Sequence, residues 1–123
     1  MSVKKILIIE DARQTQSVLK EVLQKEGYIV FDAYDGVEGV KIAKREIPDL
    51  ILLDLLLPKI SGFDICIKLR EDEKTRKIPI IVISTLADNK TTHEKLKRCD
   101  VISFLQKPYT LDDLLNEIKR VLG

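Results

Sequence analysis

Cysteine is scarce in this 123-residue chain: there are two, Cys66 and Cys99. Two thiols make neither a four-ligand metal site nor a disulfide framework, and both fall in stretches that read as helix, so they are expected to pack. An excess of charge of one sign is also missing. Lys and Arg number 21 against 20 Asp and Glu, a formal net charge of +1, so no bulk electrostatic argument points to nucleic acid or an anionic membrane. No apolar run approaches the roughly 20 residues of a membrane span. The opening MSVKKILIIED places two lysines before an apolar run, but that run ends at Ile9. A signal-peptide core needs roughly 7–15 residues, so the protein is expected to be cytoplasmic. Linkers, internal repeats and low-complexity tracts are absent, which leaves one domain over residues 1–123. The single histidine, His93, sits in the polar NKTTHEK and reads as solvated.

What is there is an alternation. Hydrophobic residues make up 45% of the chain, and they fall into short β-branched runs at KKILIIE, YIVFDA, DLILLD, IPIIVIS and VISFLQ. Between these lie segments with helical spacing. Val18, Leu19, Val22 and Leu23 form one stripe, closed by Gly27 at a C′ position. Val37, Val40 and Ala43 form a second, opened by Asp35 as N-cap with Glu38 three residues on. Phe63, Cys66, Ile67 and Leu69 suggest a third. The fourth segment, DNKTTHEKLKRC, offers only Leu96 and Cys99 as apolar anchors and should be weakly held. The last stripe runs from Leu111 through Leu114, Leu115, Ile118 and Val121 to Leu122, capped by Thr110 and Asp113. Several strands are apolar on successive residues, as strands buried on both faces are. The pattern predicts an α/β fold: five β-α units and a parallel sheet covered on both sides.

Right-handed crossovers bring the C-terminal ends of all strands to one edge, where such sheets bind ligands. Asp54 ends the third strand inside ILLDLLLPKISG, where an unpaired carboxylate would cost several kcal/mol. Glu10 and Asp11 follow the first strand, Ser84 ends the fourth and Lys107 follows the fifth. Three carboxylates held close repel by roughly 4 kcal/mol per pair at 4 Å and an effective dielectric of 20. A cation relieves that repulsion, and hard oxygen donors suit magnesium, which keeps several waters and a phosphate oxygen. A carboxylate is also a nucleophile for a phosphoryl group. Magnesium and Lys107 would stabilise the charge on that group, and the Ser84 hydroxyl would donate to it once attached.

Glu10-Asp11, DLLLPKISG, VIST and FLQKPY together closely resemble a receiver domain of bacterial two-component response regulators, in order and across essentially the whole chain. The resemblance implies a flavodoxin-like doubly wound sheet of strand order 2-1-3-4-5 and a phosphorelay switch. It casts Asp54 as phosphoacceptor. Asp11 would bind Mg2+ directly, Glu10 through water and Leu56 through its backbone carbonyl. Lys107 would pair with the phosphoryl group, across a cis Lys107-Pro108 peptide. Ser84 and Phe104 would be the switch hydroxyl and aromatic, with Thr85 at a position that is usually small. Pro58 and Gly62 would shape the loop after Asp54. A sensor histidine kinase or histidine phosphotransfer protein would supply the phosphoryl group. The face of the fourth helix, fifth strand and fifth helix would carry output to a protein partner, with the chain a monomer or weak homodimer. Neither nucleic acid nor membrane is expected as a direct partner.

Some positions depart from the family pattern. Phe104 replaces the common tyrosine, Asp100 stands where glycine is common, and Val101 where alanine is. Leu56 and Leu86, each two residues beyond a site residue, are apolar; such neighbours can exclude attacking water but cannot orient it, which implies slow loss of the phosphoryl group. An aspartate-nucleophile phosphatase would want a second acid at position 56, where leucine stands. A nucleotide or flavin module would want a glycine-rich loop after the first strand, and IIEDARQT has none. A receiver-like scaffold that never accepts phosphate is the remaining alternative.

Overall fold

The computed structural model describes residues 3–57, 60–85 and 90–123, without the side chains of residues 90–93. Five strands, β1 (Lys5–Ile9), β2 (Ile29–Ala33), β3 (Leu50–Asp54), β4 (Ile80–Ser84) and β5 (Ser103–Gln106), alternate with five helices. The helices are α1 (Arg13–Lys25), α2 (Gly36–Glu46), α3 (Gly62–Glu71), α4 (Lys90–Cys99) and α5 (Leu111–Leu122). All strand pairings are parallel, in the order β2-β1-β3-β4-β5. Asp54 is in register with Ile83, and Ser84 with Gln106, so the polar strand ends align along one rim.

The period of two along each strand divides the core. Leu7, Ile9, Ile51, Leu53, Ile80 and Val82 face α2, α3 and α4, meeting Ile42, Ile65, Leu69 and Leu96. Ile6, Ile8, Leu50, Leu52, Ile81 and Ile83 face α1 and α5, meeting Leu19, Leu23, Leu114 and Ile118. Both faces of the sheet are buried, which is why these strands read as near-continuous apolar runs.

Local chemistry sets the helix ends. The Asp35 side chain accepts from the Glu38 N–H at 2.8 Å, and Thr110 accepts from the Asp113 N–H at 3.0 Å. Gly27 follows α1 with φ +95°, the left-handed conformation that ends helices and suits glycine. Asp100 takes φ +53° after α4, a conformation aspartate adopts more readily than most residues, so it serves where glycine is common. The helical stripes are rotated from their sequence reading. Val18, Val37 and Ile67 are exposed, whereas Gln16, Ile42 and Ile65 are buried. The expected anchors of α4, Leu96 and Cys99, are both buried. Pro58 and Leu86, expected to shape the loop and to flank the water path, lie outside the described residues.

Candidate functional site

The rim gathers residues from four strand ends: Glu10 after β1, Asp54 on β3, Ser84 on β4 and Lys107 after β5. The Glu10 N–H donates to the Ala33 carbonyl at 3.0 Å, fixing the turn out of β1 beside β2. The Lys107 N–H donates to the Ser84 carbonyl at 3.0 Å, extending the pairing of β4 with β5 by one residue. The Lys107-Pro108 peptide is cis. At Gly62 the chain folds back on β3. Its N–H donates to the Leu55 carbonyl at 3.0 Å, and a Cβ there would lie 2.5 Å from the Leu55 Cα and 2.7 Å from the Asp54 carbonyl oxygen. The loop after Asp54 therefore depends on glycine at this position.

Asp54 is 6% exposed and both its oxygens are held. Oδ1 accepts from the Leu56 N–H at 2.9 Å, and Oδ2 accepts from Lys107 Nζ at 2.8 Å. The same ammonium donates to Glu10 Oε1 at 3.2 Å. One cation thus bridges two buried carboxylates, an arrangement that answers the cost of placing Asp54 among leucines. Glu10 Oε2 is buried without a hydrogen-bond partner. Burial pushes the Glu10 carboxyl up to about 7; the neighbouring Asp54 carboxylate and its charge add to the rise, and Lys107 opposes it. Burial works against the Lys107 ammonium, but the hydrogen bond and charge of Asp54, with those of Glu10, outweigh it and raise its pKa.

Asp11 is exposed beside this pair. Glu10, Asp11 and Asp54 each bring a carboxylate oxygen within 4.8 Å of the others. An all-oxygen donor set is hard and suits magnesium, calcium or manganese rather than a soft metal. The orphaned Oε2 of Glu10 fits the same conclusion, because a buried carboxylate oxygen without a donor is what a cation would satisfy.

Ser84 is fully buried at its strand end, and Phe104 packs, partly buried, against the core on the α2-α3-α4 side. The Leu56 side chain is exposed. Two residues that sequence reasoning missed support the rim. Gln16 is buried in α1, and its Nε2 donates to the carbonyls of Ile8, Glu10 and Ala33 at 2.9, 3.2 and 2.7 Å. It ties the exits of β1 and β2 together beneath the acids. Its signal was a polar residue three before Leu19, on the apolar stripe itself. Tyr109 lines a small cavity of about 10 Å³ together with Glu10 and Asp54, and burial raises its hydroxyl pKa.

A doubly wound parallel sheet with an acidic, lysine-bridged site at its C-terminal rim defines the class. The chain belongs to the response regulator receiver domains, whose family model matches residues 6–119. It is 35% identical over 120 residues to the DNA-binding dual master transcriptional regulator RpaA of Synechocystis, an alignment covering 96% of this chain and 48% of RpaA. The chain therefore spans about half the length of that relative. It is 29% identical over 120 residues to the polar-differentiation response regulator DivK of Brucella ovis, covering 98% of this chain and 97% of DivK. Among solved structures, chemotaxis protein CheY4 of Vibrio cholerae matches with a TM-score of 0.91 at 26% identity, covering 98% and 99% of the two chains. The receiver domain of sensor histidine kinase PA1611 from Pseudomonas aeruginosa, described with a magnesium ion coordinated in its active site cleft, matches with a TM-score of 0.88 at 30% identity. That alignment covers 99% of each chain. Receiver domains are phosphorelay signalling switches that work with histidine kinases and downstream effectors, and they are not enzymes in the ordinary sense. No described helix is long and apolar enough to cross a membrane.

Proposed function

We propose that Asp54 accepts a phosphoryl group from the phosphohistidine of a sensor histidine kinase or histidine phosphotransfer protein, and that this changes the α4-β5-α5 surface toward a protein partner. The observation that carries the reading is the Lys107 ammonium, 2.8 Å from Asp54 Oδ2 and 3.2 Å from Glu10 Oε1, beside a cluster of three acids. An Asp54 oxygen attacks phosphorus, a P–O bond forms, the P–N bond breaks, and the electron pair leaves with the imidazole. Glu10, Asp11, Asp54 and the Leu56 carbonyl would hold Mg2+, which when bound supplies charge neutralisation at the transferring phosphoryl. Lys107 exchanges part of its pairing with Asp54 for a phosphoryl oxygen. Ser84 donates its hydroxyl to another oxygen, and Phe104, on the neighbouring strand, repacks with it. A few kcal/mol of differential interaction suffices to shift such a two-state surface. The whole of residues 1–123 acts as one receiver unit, cytoplasmic, as a monomer or weak homodimer, with no direct contact to nucleic acid or membrane.

Intact-mass measurement after incubation with acetyl phosphate and Mg2+ tests this. One phosphoryl group that alkali and hydroxylamine release, absent from Asp54→Asn and absent when the metal is chelated, is the expected result. Continuous release of free phosphate without a phosphorylated protein would replace the switch with a hydrolase. No modification at all would leave a scaffold.

A further inference from the structure

The site above uses neither cysteine, yet both lie at one seam. Cys66 stands on α3 and Cys99 closes α4, 33 positions later, and each is 1% exposed. The Cys66 thiol lies 3.6 Å from the Cys99 carbonyl and donates to it, and the Cys99 thiol donates to the Phe63 carbonyl at 3.8 Å. The Cys99 side chain pushes the Cys66 thiol up, with burial adding to the rise, and Cys66 in turn pulls the Cys99 thiol down against the opposing effect of burial. The charges of Arg70 and Arg98 pull Cys99 the same way, and the charge of Asp64 opposes them. Cys99 forms part of the wall of a surface groove of about 310 Å³, shared with Phe63, Asp64, Ile67, Lys95 and Arg98. Cys99 thus lines the groove, and Cys66 does not.

We propose that Cys66 and Cys99 are a redox pair, converted by a hydroperoxide into a reversible disulfide that fastens the C-terminal end of α4 to α3. The Cys99 thiolate attacks the terminal peroxide oxygen, the O–O bond breaks, and a sulfenic acid forms on Cys99 as hydroxide (or an alkoxide) leaves with a proton. The Cys66 sulfur then attacks the sulfenic sulfur, and its proton leaves with the displaced hydroxide as water. For hydrogen peroxide the sum is two thiols and one peroxide giving one disulfide and two waters. A disulfide draws its sulfurs to about 2.05 Å, and the Cys66 sulfur already lies against the Cys99 backbone, 3.6 Å from its carbonyl, so the closure needed is confined to this point of the seam. The division of labour follows from their surroundings: Cys99 is at the groove, where Lys95 and Arg98 outnumber Asp64, as a reactive thiol is placed among cations, and Cys66, away from the groove, keeps its proton until the second step. The consequence reaches output, because Cys99 is one of two buried apolar anchors among the described side chains of α4. A cross-link there restrains the helix whether or not Asp54 is phosphorylated.

The reduced, folded protein is treated with hydrogen peroxide, quenched with N-ethylmaleimide and measured by intact mass and tryptic mapping. The expected product has lost two hydrogens, takes up no maleimide, joins peptide 60–68 to peptide 99–119, and reverts with dithiothreitol. Amide exchange across residues 94–99 slows in the oxidised form. Cys66→Ser should stop at a dimedone-reactive sulfenic acid on Cys99, whereas Cys99→Ser should leave Cys66 unmodified. Two maleimides added after peroxide, a cross-link seen only in urea, an intermolecular disulfide, or sulfenic acid on Cys66 in the Cys99→Ser variant would each overturn the proposal.

Discussion

Replacing Glu10 with glutamine should make the metal-free protein more stable, by an amount that depends on pH. The Glu10 carboxyl is pushed by burial and by Asp54 from 4.5 to about 7, with the opposing pull of Lys107 already included. A pKa raised in the folded state means that the native protein holds this proton more tightly than the unfolded chain does. Below pH 4.5 both states are protonated and Glu10 imposes no penalty. As pH rises toward 7 the unfolded chain ionises first, and stability is lost progressively until the native carboxyl has ionised too. At about 1.4 kcal/mol per pH unit, the span from 4.5 to about 7 amounts to about 3 kcal/mol. Glutamine keeps the shape without the charge. The gap between Glu10→Gln and the unaltered protein should therefore be near zero at pH 4 and approach about 3 kcal/mol at pH 8, or about 10 °C in Tm for a domain of this size. Urea unfolding in chelator, at half-unit steps of pH, measures it. Saturating Mg2+ should close or invert the gap, because the ion stabilises the native protein through the carboxylate that glutamine lacks. A gap that does not change with pH, or a variant less stable at pH 8 without metal, would refute the reasoning.

Lys107→Ala removes the cation that bridges Asp54 and Glu10 at 2.8 and 3.2 Å. With the lysine side chain 28% exposed, the loss should fall at the low end for a broken buried pair, about 3 kcal/mol at neutral pH. The Glu10 carboxyl should titrate higher still in that variant, as read by its carbon NMR shift. Gly62→Ala puts a Cβ 2.5 Å from the Leu55 Cα, against backbone that cannot step aside; a cost of about 1–3 kcal/mol in urea unfolding is expected, with slower phosphorylation because the loop after Asp54 is displaced. Leu56→Asn, at an exposed position two beyond Asp54, should speed loss of the phosphoryl group in a phosphate-release assay; equal rates would remove the idea that this leucine slows water attack.

Much of the fold was legible because its causes are local. The apolar runs at Ile6–Ile9, Leu50–Leu53 and Ile80–Ile83 are strands buried on both faces, and no amphipathic alternative suits such short β-branched stretches. Asp35, Thr110 and Gly27 could be read as helix ends because each acts within three residues of itself. The rim followed from topology: once the strands are parallel, Glu10, Asp54, Ser84 and Lys107 share an edge. The facing side of each helix was less legible. Val18, Val37 and Ile67 fit a stripe of period 3.6 as well as Gln16, Ile42 and Ile65 do, and only the packed neighbours choose between them.

The sequence by itself determined the order of elements, the sheet they build and the chemistry available at its edge, since periodicity, caps and residue types are properties of short stretches. The tertiary structure alone decided the pairings: one ammonium shared between Asp54 and Glu10, 53 and 97 residues away from it, Gln16 closing the exits of two strands, and two thiols brought together across the α3-α4 seam. Such contacts depend on side-chain direction and on what is excluded from water around them, and neither exists until the chain has folded.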